Sequence, residues 1–147
     1  MSSYRLISVD ERALWDEALT RCGEYDSYHL PGYHAVASRQ GEGEPLLFFF
    51  EHKRGCAALP LLIRPVGQVA GLERCRRLDA VSAYGYPGLL ASIDADNRSA
   101  GSFRRQFADT FRQAMERLGV VSIFVRQNPM IDSSWLFSAL GEITTQG

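Results

Sequence analysis

Apolar positions along this chain fall into two rhythms, and the switches between them mark out the elements. Residues 4–8 alternate between apolar and polar side chains, which predicts a short first strand. Ser8, Val9, Asp10 and Glu11 then read as a capping box, with Ser8 as N-cap and Glu11 reaching back. Leu14, Trp15, Ala18, Leu19 and Cys22 share one helical face, and Gly23 ends that helix. Pro31 suits the first turn of a second helix that runs to about Arg39, with Tyr33, Val36 and Ala37 inward. Residues 46–50 are a continuous apolar run between breakers, too short for a helix, which predicts a strand buried on both faces. After a turn at residues 52–55, residues 57–64 predict the returning strand of a hairpin. Pro60 inside that strand has no N–H to donate, so it predicts a bulge or a locally unpaired edge.

Residues 75–81 predict a further strand that runs into a stretch, 82–88, too rich in glycine and proline to continue a ladder. Polar residues 93–101 read as a loop. Phe103, Phe107, Phe111, Ala114, Met115 and Leu118 recur at helical spacing and predict a helix over 102–118, closed by Gly119. Residues 120–126 are rich in β-branched side chains and predict a strand, stopped at Gln127, Asn128 and Pro129. A short helix is expected over 132–140. Residues 142–145 begin like another strand, so the expectation is a piece of a longer chain, set against a frayed tail. Strands mixed with helices in this order predict one α+β domain over 1–147, with a central sheet covered by helices.

Composition narrows the class. The chain has 147 residues, 46% apolar and 22% charged, which suits a single domain with a real core. A net charge of −1 leaves no electrostatic footprint for nucleic acid or an anionic membrane. The basic run Arg74, Arg76 and Arg77 is short and reads as a solvated strand edge. No segment approaches the roughly 20 apolar residues that span a bilayer. The first residues carry no apolar signal core, so a cytoplasmic location is expected. Cys22, Cys56 and Cys75 are odd in number and lack metal-ligand spacing, so they read as reduced core thiols.

Four segments together carry a resemblance. They are residues 28–34 (Tyr-His-Leu-Pro-Gly-Tyr-His), 41–48 (Gly-Glu-Gly-Glu-Pro-Leu-Leu-Phe), 84–88 (Tyr-Gly-Tyr-Pro-Gly) and 123–129 (Ile-Phe-Val-Arg-Gln-Asn-Pro). In order and spacing the chain resembles the N-terminal half of Fem-type transferases, the peptidoglycan interpeptide-bridge enzymes and their bacterial relatives. That resemblance implies a GNAT-like fold, a central mixed and mostly antiparallel sheet flanked by helices. It also implies transfer of an acyl or aminoacyl group to an amine, with aminoacyl-tRNA as donor in the complete enzyme. Family members carry two such units around a shared cleft. The resemblance therefore implies a second GNAT-like unit or a homodimer partner, a small-molecule or peptide-like acceptor, and little activity from this unit alone.

Acyl transfer to an amine needs positioning, deprotonation of the amine and stabilisation of an oxyanion. By resemblance, the strands over 75–81 and 120–126 would splay apart, with the 84–88 turn at the mouth of the gap. Gly85 and Gly88 would let backbone approach a ligand, and Tyr84 and Tyr86 would bond to it or stack on it. The alternative is a tight turn whose tyrosines cover the sheet. Arg126 and Asn128 end a central strand, where ligands meet α/β sheets. Arg126 either grips a carboxylate or phosphate, or ties down a loop. His29 and Tyr33 stand at the start of the second helix and complete the candidate substrate site. Histidine is the natural base near neutral pH, but local spacing places no carboxylate to orient His29 or His34, and Asp26 is near in sequence only. Packing is the expected role of His34, and solvation that of His52. No metal is expected.

Acetyl-CoA users of this fold carry a Gln/Arg-x-x-Gly-x-Gly/Ala turn that opens a helix on the pyrophosphate. Residues 39–43 look superficially similar, but they follow a helix, precede a strand and carry glutamates that repel phosphate. No cofactor is expected. A stand-alone N-acetyltransferase is the enzyme alternative, and a non-catalytic binding or oligomerisation module is the third reading.

Overall fold

The computed structural model describes residues 1–93 and 97–145, the backbone alone at 97–100. A six-stranded, mostly antiparallel sheet runs through it, with two helices on each face. β1 (Ser2–Ser8), β2 (Glu44–His52) and β3 (Gly55–Pro65) form an antiparallel meander. Phe48 and Phe50 point to one face and Leu47 and Phe49 to the other, and all four are fully buried. The uninterrupted apolar run of β2 follows from that double burial.

The first face carries α3 (Asn97–Leu118), whose phenylalanines meet those of β2. Phe48 stands edge-on to Phe111 at 5.0 Å, and Phe50 edge-on to Phe103 at 5.3 Å and to Phe107 at 5.7 Å. This geometry sets the positive ring edge against the negative face of its neighbour. α4 (Ser134–Phe137) adds Leu136 to the same core. The opposite face carries α1 (Arg12–Arg21) and α2 (Pro31–Arg39). There Trp15, Ala18 and Leu19 pack on Leu47, Phe49 and Ala58, while Ala37 of α2 meets Leu62 and Ala83.

The far edge of β3 positions the site. β5 (Leu90–Ile93) pairs antiparallel with residues 55–58, and β4 (Leu78–Val81) pairs antiparallel with residues 62–65. The two are one interrupted strand. Between them the chain leaves the sheet over residues 82–89, opposite residues 59–61 of β3. Pro60 falls in that gap, while its register with Leu47 of β2 continues unbroken. Of the two expectations for Pro60, the locally unpaired edge is the one observed. β6 (Val120–Phe124) runs parallel to β4 and pairs with no other strand among the described residues.

Several boundaries differ from the sequence reading. The strand expected from Cys75 begins at Leu78, because Arg74, Arg76 and Arg77 offer no apolar face and lie exposed in a loop. The loop expected over 93–101 is helical from Asn97, since a polar first turn carries no apolar period; residues 94–96 lie outside the described residues. The strand over 120–126 ends at Phe124, and the helix over 132–140 is reduced to Ser134–Phe137. Residues 142–145 form no strand. Glu11 reaches back as expected, its Oε2 accepting from the Ser8 amide at 2.9 Å, but the helix starts later, at Arg12. Among the described residues no helix is long and apolar enough to cross a membrane.

Phe48 joins β1, β2 and α3 through Tyr4, Phe107 and Phe111. Phe48→Ala should cost about 3–5 kcal/mol of folding stability, read as a lowered urea midpoint with the slope unchanged.

Candidate functional site

The 82–89 excursion takes its backbone out of the ladder while much of it stays buried: Ser82, Ala83, Gly85 and 87–89 are inward, Tyr84 and Tyr86 outward. Buried N–H and C=O groups must be paired, and three other segments supply the partners. From β6 and the loop after it, the Phe124 carbonyl accepts from the Ser82 amide at 2.9 Å and Gln127 Oε1 from the Leu89 amide at 3.1 Å. Asn128 Nδ2 donates to the Tyr86 carbonyl at 3.0 Å, and Ser133 Oγ to the Leu89 carbonyl at 2.5 Å. From α2, Tyr33 donates its hydroxyl to the Tyr84 carbonyl at 2.5 Å. Burial raises the Tyr33 hydroxyl above its ordinary pKa, which keeps it a donor.

Two glycines make the close approaches. Gly85 has φ +91° and lies flat against the Tyr28 ring, where a Cβ would collide with the ring carbons. Gly88 has φ +60°, and a Cβ there would stand 2.6 Å from the Asn128 amide nitrogen. Both positions need the left-handed conformation that glycine adopts without strain.

Beneath the excursion lies a polar hub that joins residues far apart in sequence. Asp26 Oδ2 accepts from Asn128 Nδ2 at 2.6 Å, and Oδ1 accepts from the Tyr28 amide at 2.9 Å. Asp26 Oδ1 also stands 2.9 Å from His29 Nδ1, so His29 is oriented by a carboxylate after all. The local reading missed this because Asp26 caps a short 3-10 turn over Ser27–His29, which folds the chain back on itself. His29 is fully buried, and that burial holds its imidazole below the ordinary pKa although Asp26 pulls the other way. His34 is fully buried as well; its Nε2 donates to the Tyr28 carbonyl at 2.9 Å and its ring packs on Trp15. Three buried side-chain nitrogens have no partner among the described residues: His29 Nε2, His34 Nδ1 and Gln127 Nε2. All three belong to the segments that grip the excursion.

The structure therefore brings the sequence-predicted residues together at the C-terminal ends of β4 and β6, in two tiers. Tyr84, Tyr86 and Arg126 face outward. Tyr84 is 76% exposed, so it does not serve as a lid on the sheet. Arg126 spreads its guanidinium over Phe124 at 5.4 Å and over Tyr84 at 6.0 Å, and it makes no ion pair among the described residues. Tyr33, Gly85, Gly88, Asn128 and His29 form the tier below, half-buried at Tyr33 and buried elsewhere. Asp26, Tyr28, Ser82, Gln127 and Ser133 were missed by sequence reasoning. Only Asp26 left a local signal, the Asp-x-x-His spacing of a cap and its reciprocal partner.

The splay between the two parallel strands is absent. β4 and β6 are paired from Leu78 with Val120 to Val81 with Phe124, across one bulge at Leu78/Asp79, and the ladder continues to Ser82. The Arg126 amide then donates to Ser82 Oγ at 3.0 Å, so a side chain closes the point where the strands would part. A cavity of about 330 Å3 lies instead on the other face of the sheet, between α3, β6 and α4, lined by Phe111, Met115, Val121, Ile123, Phe137 and Leu140 among others. His52 is also more enclosed than expected, stacked on Phe50 and edge-on to Phe103. Among the described residues no group of three or more His, Cys, Asp or Glu could hold a metal ion.

No protein-family model, no curated protein and no solved structure matches this chain.

The hub carries a pH dependence. Desolvation, with a smaller push from His29, holds His34 down to about 4, against the bond to the Tyr28 carbonyl. The unfolded chain, with an ordinary histidine pKa near ~6.5, takes up the proton first as pH falls. Stability from His34 is thus complete above that pH and is lost as pH drops toward 4, by about 3 kcal/mol. Urea unfolding of the native chain should show that decline between pH 7 and 4, and His34→Leu should flatten it. Gly85→Ala should cost about 1–3 kcal/mol at neutral pH, through backbone strain and the contact with Tyr28.

Proposed function

We propose that this chain is one unit of a Fem-like acyl- or aminoacyltransferase with a GNAT-like fold, and that the 82–89 excursion forms a wall of its acceptor cleft. The observation that carries this reading is the convergence, at one end of the sheet, of three segments that bear the resemblance. Residues 28–34, 84–88 and 123–129 are separated by up to a hundred positions in the chain and meet where Tyr33 donates to the Tyr84 carbonyl and Asn128 to the Tyr86 carbonyl. The mostly antiparallel sheet with one parallel pair, β4 and β6, also fits this reading. It sets two strand C-termini side by side, the place where α/β sheets receive ligands.

The outward tier suits a particular acceptor chemistry. An arginine with no carboxylate partner among the described residues, laid over aromatic rings, suits a carboxylate or phosphate next to a flat or apolar group. A peptide-like acceptor, such as a cell-wall precursor stem, offers a carboxylate of this kind beside its amine. Deprotonating that amine needs an accessible base, and both histidines of the hub are enclosed. The unit thus positions the acceptor, and the base and the donor site come from elsewhere in the assembled enzyme.

The partner's place on this reading is the free side of β6. Val121 and Phe124 are 60% and 59% exposed, Ile123 is exposed too, and among the described residues no strand pairs with that edge. Bare apolar edge strands are sites of further pairing. A second unit of the same type, in the same enzyme or a second copy of this chain, would cover it. Acetyl-CoA is not the expected donor, because the sequence lacks the Gln/Arg-x-x-Gly-x-Gly/Ala turn that would present backbone amides to a pyrophosphate.

Binding of a lysine-containing stem peptide, followed by amide chemical-shift mapping, tests the proposal. Shifts should cluster at residues 84–88 and 126–128. Arg126→Ala should weaken binding about tenfold or more, the loss expected for a charge-assisted pair. Shifts confined to the α3/α4 cavity, or a clear rise in melting temperature with acetyl-CoA, would count against it.

A further inference from the structure

We propose that Cys22 and Cys56 form a dithiol site that a peroxide converts to an intramolecular disulfide. The site is independent of the acceptor cleft. Cys22 is the C-cap of α1 and Cys56 is the second residue of β3, and they are 34 positions apart in sequence. Their sulfurs stand 3.3 Å apart, both buried, with one S–H directed at the other sulfur. Two isolated core thiols have no reason to meet, since a methyl group would fill either space as well. Closing the pair to the roughly 2.05 Å of a disulfide asks for little more than an ångström of travel. Cys22 can supply it, because it ends a helix and is followed by the exposed, left-handed Gly23.

The two sulfurs differ in character. Cys56 shares the thiol–thiol hydrogen bond with Cys22 and lies near the Arg21 guanidinium, which itself is anchored to Glu51 at 2.6 Å; both influences hold the Cys56 thiol below its ordinary pKa. Cys22 is pushed the other way, by the shared hydrogen bond and by burial. Cys56 is therefore the nucleophile and Cys22 the resolving thiol. The Cys56 thiolate attacks one peroxide oxygen and the O–O bond breaks. This leaves a sulfenic acid on Cys56 and a hydroxide that takes a proton to become water. The Cys22 sulfur then attacks the Cys56 sulfur, the S–O bond breaks, and the Cys22 proton leaves with the hydroxyl as a second water. Two thiols lose two electrons in total, and one hydrogen peroxide becomes two waters. The disulfide would tie the end of α1 to β3 and enclose Asp26, Tyr28, His29 and Tyr33 within the closed loop.

Cys75, half-buried in the loop before β4, is the internal control. The native chain is treated with one to ten equivalents of hydrogen peroxide, quenched with a maleimide and mapped by mass spectrometry. The expected product lacks two hydrogens, links the Cys22 and Cys56 peptides, and still carries maleimide on Cys75. Its melting temperature rises by roughly 5–10 °C and returns on reduction with dithiothreitol. Cys22→Ser should stop at a Cys56 sulfenic acid that dimedone traps. Cys75→Ser, which leaves the pair untouched, should give the same disulfide as the native chain, so the proposal stays testable if the Cys22 variant does not fold. Oxidation of Cys75 ahead of the pair overturns the proposal. So does a Cys22–Cys56 link that forms only in denaturant, or persistence of both thiols at ten equivalents.

Discussion

A strand that leaves its sheet has to find new partners for the hydrogen bonds it abandons, because a buried N–H or C=O without one costs about 1–3 kcal/mol. This constraint organises the site end of the molecule. The chain between β4 and β5 departs opposite Pro60, where β3 has no donor to offer. It then draws on Tyr33, Phe124, Gln127, Asn128 and Ser133 for the contacts the sheet no longer makes.

Asp26 is the junction of that arrangement. Its carboxylate takes hydrogen bonds from Asn128 and the Tyr28 amide and faces His29, so one side chain ties the turn before α2 to the loop after β6. Charge-assisted bonds of this kind are about twice as strong as neutral ones. The result is a tied-down lower tier under the excursion, with Tyr84, Tyr86 and Arg126 displayed above it. That display of a cation over aromatic rings, with both histidines of the hub enclosed, is the geometry on which the proposed acceptor-positioning role rests.

Legibility in the sequence followed the range of the interactions. Residues 46–50 read as a doubly buried strand because both faces had to be apolar, and the α3 helix read from its phenylalanine spacing; both signals are local. The 84–88 turn was visible from its two glycines and one proline, but its anchoring was not. The Asp26–Asn128 bond spans 102 positions and leaves no periodic trace. The meeting of Cys22 with Cys56 is equally silent, since neither cysteine has a telling neighbour. Strand pairing was the costliest gap: nothing local in residues 75–81 and 120–126 indicates that Ser82 closes the ladder where a splay was expected. Pro60 is the intermediate case, where the sequence offered two outcomes and the sheet selected one.

Asn128 and Asp26 hold the excursion from below, and amide hydrogen exchange tests that anchoring most directly. Replacing Asn128 with alanine removes the donor to both Asp26 and the Tyr86 carbonyl. Exchange across residues 82–89 and 27–29 should then quicken by roughly ten- to a hundredfold while β2 and the core of β3 keep their protection. Unchanged protection over residues 82–89 in that variant, with the fold intact, would contradict it.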